Sequence, residues 1–236
     1  GSMAANETSD FNTAVGTNAL GKVTIDGSGH NTALGTHAGK AISTGVGNTC
    51  IGSKAGYTMN NESYNTFVGY YAGGEVNSGA IHCVAIGAAA MMAPSAVATG
   101  SIAIGYYALS GLTTGAGNVG IGYQALNANT TGARNLAIGY QAADALTQGD
   151  DNIAIGTDAL GAMAATDGND QNIAIGSYAL ANAGASSNVA TQNVAIGYSA
   201  GVGRSDGWTA LGDRLSAGLP PRWIGWNSPE AGCRTA

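Results

Sequence analysis

The amino-acid sequence predicts an all-β fold: a parallel β-roll or β-solenoid of about twelve coils, with two short strands per coil. Three observations carry this. A glycine-ended motif returns from one end of the chain to the other at nearly constant spacing. Inside the motif, branched apolar residues alternate with small ones. Charged residues make up only 9% of the chain, where an ordinary globular domain carries about a quarter, so a large core wrapped in a charged surface is not the expected plan.

The repeat comes first, because a fixed period of this size decides the architecture before any local assignment. Its closing glycines are Gly16, Gly35, Gly52, Gly69, Gly87, Gly105, Gly122, Gly139, Gly156, Gly176, Gly197 and Gly212. The unit between them is about 17 residues long with elastic joints. It is clearest in Asn152-Ile153-Ala154-Ile155-Gly156 and Asn172-Ile173-Ala174-Ile175-Gly176. No segment between two such glycines suits a helix of ordinary length, about 11 residues.

Each position has a physical role. The residue before the glycine is Val, Leu or Ile, and the residue two earlier is Val, Ile, Leu or Thr. That period of two, rich in β-branched residues, is a strand signal. The branched side chains are expected to share a narrow dry interior, with Thr pointing inward. Ala lies between them, replaced by Cys50, Phe67 and Gly120 in three units, so the opposite strand face is small and suited to close packing. The glycine fits a corner that needs a positive φ or no Cβ. Asn precedes the strand at 12, 31, 48, 65, 118, 135, 152, 172 and 193. Its amide can satisfy the turn backbone or stack into a ladder along the coils. Parallel coils at about 4.8 Å would make a rod roughly 50 to 60 Å long.

Composition excludes several functions. The formal net charge is −6, and the eight Lys and Arg (Lys22, Lys40, Lys54, Arg134, Arg204, Arg214, Arg222, Arg234) do not cluster along the chain. Nucleic acid is therefore not an expected partner. No apolar run approaches the roughly 18 residues of a membrane span, so no membrane insertion is expected. Cys50, Cys83 and Cys233 indicate neither a disulfide framework nor a metal knuckle, and the first two read as small buried hydrophobes.

The sequence pairs no nucleophile with a base and orienting group, and an enzyme is not expected. His30, His37 and His82 lie in or beside loops, without a nucleophile or a ligand at metal spacing. Asp150, Asp151, Asp167 and Asp170 read as solvated loops, since the bidentate Glu of a calcium loop is missing. No cofactor and no metal is called for.

The motifs Asn193-Val194-Ala195-Ile196-Gly197 and Asn152-Ile153-Ala154-Ile155-Gly156 resemble the head repeats of trimeric autotransporter adhesins. The longer Asn135-Leu136-Ala137-Ile138-Gly139-Tyr140-Gln141-Ala142 is similar to repeats of phage tail-fibre and tail-spike proteins. The resemblance covers residues 11 to about 216. It implies a trimeric β-roll in a fibrous adhesin, located on a virion or alternatively on a bacterial surface, whose partner is a host cell-surface glycan or protein. A slim interior agrees with trimerisation, since small Ala faces would gain burial against copies of themselves. A third reading is a flat repetitive surface for ice or polysaccharide.

Three regions follow. Residues 1–10 comprise an expression scar (Gly1, Ser2, Met3) and a lead-in, residues 11–216 the repeats, and residues 217–236 a C-terminal cap, connector or tip. Structural repeat positions are Gly87, Gly105, Gly122, Gly139, Gly156, Gly176 and Gly197 with Asn118, Asn135, Asn152, Asn172 and Asn193. Candidate receptor contacts are Tyr70, Tyr71, Tyr106 and Tyr107, which follow a reference glycine and read either as a structural ladder or as contact surface. Trp223 and Trp226 join them, in a segment that reads as a receptor tip or as the hydrophobic cap an open solenoid end requires.

Overall fold

The structure is a computed structural model that describes residues 9–24, 27–77, 79–93, 98–162, 168–182, 191–202 and 209–211. It is all-β, a parallel β-solenoid without a helix among the described residues. Near the start, β1 (Ser9–Asp10) pairs in parallel with β3 (Gly27–Ser28). The main sheet takes β2 (Thr13–Val15), β4 (Thr32–Leu34), β5 (Thr49–Ile51), β6 (Thr66–Val68), β7 (Val84–Ile86) and β8 (Ile102–Ile104). It continues through β9 (Val119–Ile121), β10 (Leu136–Ile138), β11 (Ile153–Ile155), β12 (Ile173–Ile175), β13 (Val194–Ile196) and β14 (Thr209–Leu211). These twelve strands lie in chain order, all parallel. Register follows the motif: Ala137 of β10 sits between Gly120 of β9 and Ala154 of β11.

Each repeat contributes one strand to this sheet; of the two strands expected per coil, the second is present among the described residues only in the first two repeats, as β1 and β3. The cause lies in the residues after the glycine. In the segment from Gly105 to Leu109, φ is +131° at Gly105, +56° at Tyr107 and +52° at Leu109. Left-handed residues at every second position turn the chain too often for a second extended run. Hydrogen bonding between repeats continues through them all the same. The Tyr107 amide donates backward to the Ala88 carbonyl (3.2 Å) and the Leu109 amide donates forward to the Ala125 carbonyl (3.0 Å).

The glycine at the strand end is required twice over. Gly87 has φ +127°, outside the range of ordinary side chains, and a Cβ there would lie 2.7 Å from the Gly105 carbonyl oxygen. The following repeat approaches that closely because each backbone stacks directly on the next.

The side chains of the sheet face the opposite way from the expectation. The middle residue of each strand points inward: Ala33, Ala103, Ala137 and Ala195 are fully buried. The branched residues on either side line the outside, where Val15 keeps 56% of its surface exposed, Leu34 48% and Ile138 37%. The alanine face is consequently interior and is not available to other copies. Thr13, Thr32, Thr49 and Thr66 also point outward, not inward. The inversion has a packing reason. Leu20, Leu109, Leu126, Leu160 and Leu180 come in from the turn side with Val23, Ile42, Met59, Leu112 and Leu146, all buried. At close-packed density the small remaining space admits a methyl from the strand and little more. Each such Leu contributes about 1.5 to 3 kcal/mol by its burial.

The asparagines form a buried column. Asn135 Oδ1 accepts from the Asn152 backbone amide (2.9 Å) and from Asn152 Nδ2 (3.0 Å), while Asn135 Nδ2 donates to the Gly149 carbonyl (2.7 Å). One side chain therefore stacks on the next amide and also ties down the turn that precedes the next strand. The column changes residue type at Cys83 and Ser101, which keep part of the pattern. Cys83 Sγ donates to the Ala98 carbonyl (3.0 Å), and Ser101 Oγ accepts from the Asn118 amide (3.2 Å). Cys50 and Cys83 are both buried and free.

Candidate functional site

The interior is filled by buried side chains among the described residues, so recognition chemistry falls to the outer surface. Three features stand out there: the apolar face of the sheet, a row of tyrosines, and a lysine–tyrosine cluster.

The sheet face carries two columns. One runs Thr13, Thr32, Thr49, Thr66, Val84, Ile102, Val119, Leu136, Ile153, Ile173 and Val194, the other Val15 through Ile86 and Ile138 to Ile196. No charged residue interrupts either column. The strands rise by about 4.8 Å each and about 3.3 Å per residue, so the face measures roughly 55 by 10 Å.

Tyrosines gather just past the strand ends. Tyr106, Tyr123 and Tyr140 follow Gly105, Gly122 and Gly139, and their rings stack at 5.5 and 5.0 Å between centroids. Tyr107 meets Tyr106 edge-on at 4.4 Å. The ring faces are thus spent largely on one another, leaving edges and hydroxyls toward solvent. Tyr70 and Tyr71 lie in an earlier repeat, 6.2 Å apart. The structure accordingly divides the four tyrosines named from the sequence between two places: Tyr106 and Tyr107 join the stack, and Tyr70 and Tyr71 join the lysine cluster. Trp223 and Trp226 lie outside the described residues.

The cluster was not visible as such in the sequence. Lys54 and Tyr71 each stand two residues after a reference glycine, at φ +58° and +57°, and Lys40 and Tyr57 each stand five after one. Stacking brings the two positions together. Lys40 Nζ lies 5.1 Å from the Tyr57 ring centroid and 3.3 Å from its hydroxyl. Lys54 Nζ lies 5.8 Å from the Tyr57 centroid and 5.9 Å from that of Tyr71, within reach of both rings. His37 meets Tyr57 edge-on. The Tyr71 hydroxyl donates to Glu75 Oε1 at 3.0 Å, and burial first, then that carboxylate, raises its pKa above the ordinary phenol value. A search for period-specific pairs, two and five past the glycine in neighbouring units, would have found this grouping.

The remaining titratable groups are placed differently. Arg134 bridges Asp151 (2.6 Å) and Asp150 (3.1 Å), so these aspartates hold an arginine. Hydrogen bonding to Arg134 keeps the Asp151 carboxyl below the usual carboxylate value. Burial, with Asp158 nearby, raises that of Asp144. His30 stacks on Phe11 and His82 on Tyr64, both at 5.3 Å. Glu62 is wholly buried and accepts from the backbone amides of Asn60 (2.6 Å) and Gly79 (3.0 Å), a loop-closing role.

No protein-family model, curated protein or solved structure matches this chain.

Proposed function

We propose that the chain is a structural and receptor-binding fibre segment of the phage tail-fibre type, a rod of twelve stacked repeats that works as a homotrimer and presents its outer turns to a host surface. The observation that carries this reading is the outward aliphatic face. A largely aliphatic strip of roughly 55 by 10 Å, with no charged residue in its strands and no side chain of its described columns buried, is a contiguous apolar patch of the size that is often functional. Two outward columns per strand suit threefold packing, with the column through Ile153 against one neighbour and the column through Ile155 against the other. The alanines, being interior, take no part in that contact. A rigid trimeric rod shows every turn in three copies, so weak contacts sum to strong avidity. On this reading the chain sits on a virion and needs neither cofactor nor catalytic group.

Oligomeric state tests it. Light scattering on the purified chain is expected to return three times the chain mass of 23.1 kDa. A stable monomer at micromolar concentration overturns the reading.

A second reading has one observation of its own. Thr13, Thr32, Thr49 and Thr66 face outward in register on a regular sheet, an arrangement suited to ordered water. Thermal hysteresis with ice crystals would support it; its absence, together with a trimer, leaves the fibre reading alone.

A further inference from the structure

Resting on the fibre reading, we propose that Lys40, Lys54, Tyr57 and Tyr71 form a binding site for an acidic saccharide, a sugar bearing a carboxylate or a sulfate.

The charge distribution argues first. The described residues include four Lys and Arg: Lys22, Lys40, Lys54 and Arg134. The ion pairs among them belong to Arg134 alone. Of the other three, two converge on one ring, Tyr57, although the chain as a whole is acidic at −6. Neither lysine makes an ion pair among the described residues, and Glu75, the carboxylate of the cluster, accepts from the Tyr71 hydroxyl. An anion at this cluster gains a charge-assisted hydrogen bond from a lysine ammonium group.

The geometry argues second. Lys54 Nζ lies 5.8 Å from the Tyr57 centroid and 5.9 Å from the Tyr71 centroid, two rings whose centroids are 6.5 Å apart at a 35° tilt, so it is shared by both. Cation–π attraction thereby preorganises an otherwise flexible side chain. Tyr71 is fixed in turn by its bond to Glu75. Tyr70 lies beside it with 60% of its surface exposed, and offers a ring and a hydroxyl to a neighbouring sugar. Ammonium for the acid group, rings for the C–H face of a pyranose and hydroxyls for its polar edge together make a saccharide-reading set. An acidic peptide would use the ammonium groups but not the rings.

The position argues third. All four residues lie in the turns after the strand ends, and none belongs to the strands whose face is assigned to self-association. The site therefore stays open in a trimer and is shown three times.

The test is calorimetric titration of the full chain with sialyllactose, a sulfated heparin tetrasaccharide, neutral lactose and a hexaglutamate peptide. At least one acidic saccharide is expected to bind, with lactose at least tenfold weaker. In the double variant Lys40→Met with Lys54→Met, that binding should fall at least tenfold, while Tyr123→Ala leaves it unchanged. Circular dichroism and light scattering on the same variants establish that fold and assembly persist. Absence of acidic-saccharide binding, binding untouched by the double variant, or hexaglutamate bound as tightly as the sugars overturns the site. A trimer that attaches to host cells equally well with and without both lysines overturns this site and leaves the fibre reading standing, whereas a monomer overturns the fibre reading itself.

Discussion

The Phe67 ring occupies the space that a side chain at Gly73 would fill: a Cβ built on Gly73 would lie 2.5 Å from Phe67 Cδ2. The two residues stand at positions where other repeats pair Ala with Leu, as in Ala103 with Leu109 and Ala154 with Leu160. Volume has moved from one wall of the interior to the other. Phe67→Ala alone should cost about 3 to 5 kcal/mol. Adding Gly73→Leu should recover more than half of that, since Leu109 already accepts φ +52° at the equivalent position. Chemical denaturation of the two single variants and the double variant measures the coupling, and additive costs would refute the exchange.

Glycines that share a positive φ should differ sharply in tolerance. Gly87→Ala meets both a disallowed φ and a carbonyl oxygen at 2.7 Å, and should cost about 3 kcal/mol or more. Gly100, at φ +71° with nothing within 4 Å of a new Cβ, should lose only about 1 kcal/mol on the same change. Thermal melts of the pair decide the matter, and equal losses would contradict the stacking argument.

Asn129 lies in the apolar column between Leu112 and Leu146, fully buried, and its side-chain amide nitrogen and oxygen have no hydrogen-bond partner. An unsatisfied buried amide costs about 1 to 3 kcal/mol. Asn129→Leu should therefore stabilise the chain by about that amount, seen as a higher denaturant midpoint at unchanged slope.

Asn135→Ala removes a group that accepts two hydrogen bonds from Asn152 and donates one to Gly149. A loss of about 2 to 4 kcal/mol is expected, since several buried partners go unpaired together. Asn135→Ser should lose less, because Ser101 shows that a hydroxyl can still accept from the next backbone amide. Hydrogen exchange at the Asn152 amide distinguishes the two variants.

Burial pushes the Cys50 thiol up to about 12 from an ordinary value of 9.0. A raised folded-state pKa means that the folded chain holds its proton where the unfolded chain releases it. The contribution is complete below pH 9 and is lost progressively as pH rises from about 9 through 12. Comparing Cys50→Ala with the parent chain cancels the other titrations, so the parent should lose stability relative to the variant across that window. Mass mapping after alkylation at pH 8 should find Cys50 unmodified in the native state.

Much of this architecture is legible in the linear chain. The even return of the glycine-ended unit predicts a solenoid, because a repeat too short to bury its own apolar face must stack on the next. The asparagine positions and the geometric demand on the glycines can be read there too, each tied to one backbone need. The facing of the strand cannot. An alternation of period two distinguishes two sides without saying which is inside, and the larger aliphatics of Ile153 and Ile155 make the wrong side look like the core. Only the assembled cross-section decides it: Leu160 and its counterparts already fill the space from the turns, so Ala154 fits inward and the isoleucines must go out. Lys40, Lys54, Tyr57 and Tyr71 meet for the same kind of reason. They belong to successive repeats, and it is the stacking of left-handed corners, a property of the fold and not of any one segment, that sets two ammonium groups around a single ring.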